Sequence, residues 1–146
     1  MFLCACLIGC STDTSMPAPK SVVPVSGVVT MDGKPLDFAR VTFVPQGGSE
    51  QSYGASGSTD SAGKYEMTSL VGNEGIVGAP PGPYKVTVTR MVKPDGTVVS
   101  PDKMEPPMMS AARMSLPMQY GSTDATPLEV TVSTTGGTYN FDLKSK

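Results

Sequence analysis

An all-β sandwich of seven short strands is the fold this sequence predicts, and three observations predict it. From Val22 onward apolar and polar residues alternate with the two-residue period of half-buried strands. The chain holds 16 glycines and 14 prolines in 146 residues. Proline breaks helices and glycine supplies turns, so these residues cut the alternating runs into short pieces joined tightly. Beyond the first ten residues, no stretch carries the spacing of a helix of any length. The length suits one domain, and 38% hydrophobic residues are enough for one sandwich core.

Residues 1–9, M-F-L-C-A-C-L-I-G, are apolar and stop at Cys10. A spanning helix needs about 20 apolar residues, so this run is the core of an export signal and not a transmembrane anchor. Leu7-Ile8-Gly9-Cys10 resembles a lipobox, the recognition site of bacterial lipoprotein signal peptidase. That resemblance implies acylation of Cys10 (palmitate among the acyl groups) as the new N-terminus. No Lys or Arg precedes the apolar run, which implies a translation start placed too far downstream. All three cysteines, Cys4, Cys6 and Cys10, fall in this segment, so the mature domain is expected to contain no disulfide. Residues 10–21 are the lipidated cysteine and a polar, proline-containing tether. Ser11 after Cys10 matches an outer-membrane sorting signal.

Residues 22–146 are the domain. Val25, Gly27 and Val29 share one face of the first strand, and Asp32-Gly33 follows as a hairpin turn because both positions tolerate positive φ. Ala39, Val41 and Phe43 line the second strand, in a run from Phe38 to Pro45. A polar stretch from Gln46 to Ser52 separates it from a third strand around Tyr53 to Thr59. After the turn Asp60-Ser61-Ala62-Gly63, Tyr65, Met67 and Ser69 line a fourth. Val71 to Pro83 is rich in glycine and proline and is expected to be loop. Tyr84, Val86 and Val88 make the clearest strand. Met91 to Gln119 is a long irregular connection, above the usual ~12–15-residue ceiling for structureless loops in compact domains. Leu128, Val130 and Val132 form the sixth strand, Thr135-Gly136-Gly137 turns, and Tyr139, Phe141 and Leu143 close the sheet.

The order of V-S-G-V-V-T-M-D-G-K-P-L, V-T-F-V-P, S-T-D-S-A-G-K-Y and P-P-G-P-Y-K-V-T-V resembles the carboxypeptidase regulatory-like, transthyretin-like domain. L-P-M-Q-Y-G-S-T-D-A-T-P-L-E-V-T-V and Y-N-F-D-L fit its lipoprotein version of the planctomycete type, and the likeness runs from Val22 to Leu143. It implies a prealbumin-like Greek-key sandwich and settles the fold better than the activity.

A net charge of −2 and no Lys/Arg cluster argue against nucleic acid. With no histidine, the chain lacks the usual general base and the commonest metal ligand. The purine-derived hydrolase branch of the transthyretin-like proteins relies on histidines and a C-terminal Tyr-Arg-Gly-Ser motif, whereas this chain ends Asn140-Phe141-Asp142-Leu143-Lys144-Ser145-Lys146. No catalytic residue is assigned, and no resident cofactor is expected. Asp32, Asp60 and Asp95 lie next to or near glycines; they are read as turn residues in preference to calcium ligands, because EF-hand spacing is missing.

Met104, Met108, Met109, Met114 and Met118 cluster in one stretch. Thioethers are soft enough to take Cu(I), but they also fill irregular gaps or offer an adaptable surface to a partner. For glycan stacking, only Phe38, Tyr53 and Tyr120 remain as surface rings, and Tyr120 is expected to pin the long connection to the sheet. Two functions follow. One is a lipid-anchored envelope module, membrane-bound through Cys10, with a protein partner at the Met91–Gln119 connection. The other is a binder of Cu(I) or a glycan. Under the first, deleting residues 104–118 is expected to abolish partner capture and leave the fold intact.

Overall fold

The computed structural model describes residues 22–46, 54–71, 74–101 and 111–145. Cys10, the tether, Tyr53, Met104, Met108 and Met109 lie outside the described residues. In chain order the strands are β1 (Val25–Met31), β2 (Lys34–Pro35), β3 (Arg40–Pro45), β4 (Ala55–Ser58), β5 (Lys64–Glu66), β6 (Thr68–Val71) and β7 (Glu74–Val77). They continue with β8 (Gly82–Thr89), β9 (Met91–Val92), β10 (Val98–Val99), β11 (Arg113–Met114), β12 (Glu129–Val132), β13 (Gly137–Thr138) and β14 (Phe141–Leu143). One 3₁₀ turn spans Met118–Gly121, and no α-helix occurs among the described residues.

Two sheets face each other. The first is built on β1, which pairs parallel with β13 and β14 and antiparallel with β2 and β5. The second runs β12-β8-β3-β4-β6-β7, antiparallel at every step. Val25, Val29, Tyr65, Phe141 and Leu143 from the first sheet meet Val41, Phe43, Ala55, Val86 and Val88 from the second in one core. The Phe43 ring lies 5.5 Å from Tyr84 in its own sheet and meets Phe141 of the other edge-on at 6.1 Å. The alternation visible in the sequence thus becomes the inner face of each sheet.

The expected hairpin is present. Asp32 (φ 52°) and Gly33 (φ 82°) are both left-handed, and they turn β1 into β2 with a twist that suits the flanking strands. Gly27 serves close approach: a Cβ there would overlap the Tyr139 carbonyl and crowd the Tyr65 hydroxyl. Its absence lets the chain end lie beside β1, where the Tyr139 N–H donates to the Ser26 carbonyl at 2.9 Å.

Three expectations are corrected. The fourth strand is broken at Met67, because β5 pairs with β1 in the first sheet while β6 pairs with β4 in the second. Met67, fully buried, is the crossing point; its N–H donates to the Val25 carbonyl at 2.9 Å and its carbonyl accepts from Gly78 at 2.6 Å. Val71 to Pro83 is not wholly loop, since β7 pairs back on β6 and β8 begins at Gly82. The connection after Met91 is not structureless either: β9, β10 and β11 form a small third sheet in the order β10-β9-β11.

Candidate functional site

The small third sheet is held at one end of the sandwich by arginines. Tyr84, Val86 and Val88 point inward from β8, and Arg90 follows at the next inward position. There its Nε donates to the Asp37 carbonyl at 2.9 Å and its Nη2 to Asp37 Oδ1 at 2.7 Å. The side chains are 18% and 36% exposed, respectively, so the pair is partly shielded from water. Ser115 completes the joint: its N–H donates to the Arg90 carbonyl at 2.8 Å, and its Oγ accepts from Arg90 Nη1 at 3.4 Å. Arg40, at the start of β3, donates through Nη2 to the Pro101 carbonyl at 2.8 Å. A planar guanidinium suits such joints because it offers several donors in fixed directions.

The stretch after β11 is fixed by burial. Leu116 and Tyr120 enter the core, and the Tyr120 hydroxyl accepts the Lys144 N–H at 2.9 Å. The ring therefore pins the connection to the chain end just beyond β14. Met114 packs against the core, its methyl near Gly121, whereas Met118 is 81% exposed. Of the two described thioethers of the methionine cluster, Met114 is thus partly buried and Met118 stands in water.

At the same end, Phe38 is 40% exposed with φ 50°, and Ala111 also has φ 50°. Left-handed backbone is costly for residues with a Cβ, and such conformations gather at ligand and partner sites. A groove of about 510 Å³ lies at the β9–β11 pair, lined by Val92, Lys93, Pro94, Arg113, Met114 and their neighbours. A second, of about 540 Å³, lies on the outer face of the first sheet, where Ser26 of β1 stands between Thr138 of β13 and Glu66 of β5.

The aspartates sit in three separate turns. Asp60 Oδ1 accepts from the N–H groups of Ala62 and Lys64 at 2.9 and 3.0 Å. Asp95 Oδ1 accepts from Thr97 at 2.8 Å and Asp32 Oδ1 from Ser145 at 3.2 Å. Those hydrogen bonds favour the anion and hold the Asp32 and Asp95 carboxyls below their usual range. Among the described residues, no three of His, Cys, Asp and Glu come together in a metal-binding group.

Sequence reasoning missed Asp37, Arg90 and Arg113. Arg90 did carry a signal, a charge at the position where the alternation of β8 calls for an apolar side chain. Asp37 and Arg113 carried none, because their setting depends on partners distant in the chain. Among the described residues, no helix is long and apolar enough to cross a membrane. No family model, curated protein or solved structure matches the chain.

Proposed function

We propose that this protein is a non-catalytic binding or scaffold module of the bacterial cell envelope, anchored by lipid on Cys10 at the outer membrane. In this reading residues 22–146 are a Greek-key sandwich of the carboxypeptidase regulatory-like, transthyretin-like type. Taking β5–β6 and β13–β14 each as one bent strand, with β1, β3, β4, β8 and β12, supplies its seven principal strands. Of the remaining short strands, β2 pairs with β1, β7 extends the second sheet beside β6, and β9, β10 and β11 form the small third sheet.

One observation carries the reading. The connection after Met91 is fastened to the sandwich by Arg90 and Arg40, and at that end Phe38 and Met118 remain in water at 40% and 81% exposure. A rigid scaffold that holds apolar side chains in solvent on connecting segments is the usual construction of a contact surface.

The test is site-specific photo-crosslinking of the lipidated full chain in intact envelopes. Benzoylphenylalanine at position 38 or 118 is expected to capture one dominant protein, and the same probe at the exposed Thr131 of β12 should capture none. Equal capture from all three positions, or none from 38 and 118, would remove the reading. Deleting residues 104–118 is the wrong test, because it takes away β11, the Ser115–Arg90 joint and the buried Leu116. That deletion is expected to lower the denaturation midpoint. The anchor has its own check: radiolabelled palmitate should enter the protein and be lost in Cys10→Ser, and label that persists would disprove it.

A further inference from the structure

We infer that the groove at the β9–β11 pair binds an extended acidic peptide segment of a partner protein, with Arg113 as the residue that recognises a carboxylate. The inference rests on the reading above as an interaction module and names the chemistry of its partner.

Charge is the first support. The whole chain carries −2, yet among the described residues that line this groove, Lys93 and Arg113 with Val92, Pro94, Ala111, Met114 and Ser115, none is a carboxylate. Lys93 already interacts with Asp95, whose carboxylate also accepts the Thr97 N–H, so the recognition falls to Arg113. Arg113 is exposed, and among the described residues its guanidinium has no hydrogen bond or ion pair. A guanidinium in that position offers two parallel N–H donors to a carboxylate.

Shape and rigidity are the second. The groove lies against two paired strands, with Arg113 opposite Val92 in register, and a segment laid beside them is extended. Val92, Pro94 and Met114 give apolar surface beside the cations, which suits a segment carrying both acidic and apolar side chains. The Lys93–Gly96 turn is closed at both ends, by Lys93 N–H to the Thr97 carbonyl at 2.8 Å and Gly96 N–H to the Lys93 carbonyl at 2.9 Å. A site held this firmly has less ordering cost on binding.

The test is fluorescence anisotropy of the full chain with a dye-labelled ten-residue peptide alternating Glu and Leu. Binding is expected to weaken about tenfold or more when Glu is replaced by Gln, and by a similar factor in Arg113→Glu. Replacing Glu by Lys in the peptide should restore binding to Arg113→Glu and not to the wild type. Equal binding of the Glu and Gln peptides, indifference to Arg113→Glu, or no binding by the wild type would each overturn the proposal. Decanoate, which joins a carboxylate to an apolar chain without a peptide backbone, is expected to compete poorly; competition equal to the peptide's would overturn the peptide assignment. Photo-crosslinking separates the two levels. If Phe38 and Met118 capture a partner while the peptides fail, the groove is wrong and the module reading stands.

Discussion

Tyr65 shows how much one side chain settles in this protein. Its ring packs near Phe141 in the core, and its hydroxyl donates to the Tyr139 carbonyl at 2.5 Å across the space that Gly27 leaves open. Burial, with a smaller contribution from Tyr139, pushes its ionisation well above the ordinary value of about 10. A folded-state value above the unfolded one leaves stability whole below pH ~10, and the stability is lost as pH rises further, because only the unfolded chain ionises there. The denaturant midpoint should therefore stay level towards pH ~10 and fall beyond it. Tyr65→Phe is expected to cost about 1 kcal/mol at pH 7, through the lost hydrogen bond, and to fall less steeply in alkali. Parallel curves for the two proteins would show that another group governs the alkaline limb. Tyr84, also raised by burial and donating to the Pro80 carbonyl, remains in the variant and accounts for part of the residual slope.

At the scale of elements, β1 is the strand on which the first sheet depends, since all four of its partners pair with it. The sequence shows its inward positions, Val25, Gly27 and Val29, but alternation says nothing about which strands lie alongside. Gly27→Ala puts a methyl against the Tyr139 carbonyl and separates the chain end from β1. A loss of about 1–3 kcal/mol is expected from overpacking, read as a lower denaturant midpoint. A midpoint equal to wild type would mean that the parallel pairing yields without cost. The small third sheet depends on a different joint. Asp37→Ala removes the acceptor of the shorter Arg90 bond, and hydrogen exchange should quicken at β9 and β11 while β3 and β8 stay protected. Uniform quickening would instead show that the joint supports the whole sandwich.

For the whole molecule, the chain closes on itself: β14, near the C-terminus, pairs parallel with β1, and Phe141 and Leu143 complete the core. Truncation after Thr138 is therefore expected to abolish cooperative unfolding, as followed by circular dichroism with denaturant, and not merely to fray an end. A truncated chain that still melts in one sharp transition would show that β1 and its antiparallel partners suffice. The sequence by itself determined the all-β class, the inner faces of β1, β3 and β8, the Asp32-Gly33 hairpin, and Asp60 and Asp95 as turn residues. These are local properties, carried by side-chain period and by the φ that a residue tolerates, so neighbouring residues suffice to read them. Only the tertiary structure decided that the run through Met67 leaves one sheet for the other, that the first and last strands lie parallel, and that Arg90 fastens a third sheet to the end of the sandwich. Each of those joins residues far apart in the chain, through hydrogen bonds and packing whose partners no local pattern names.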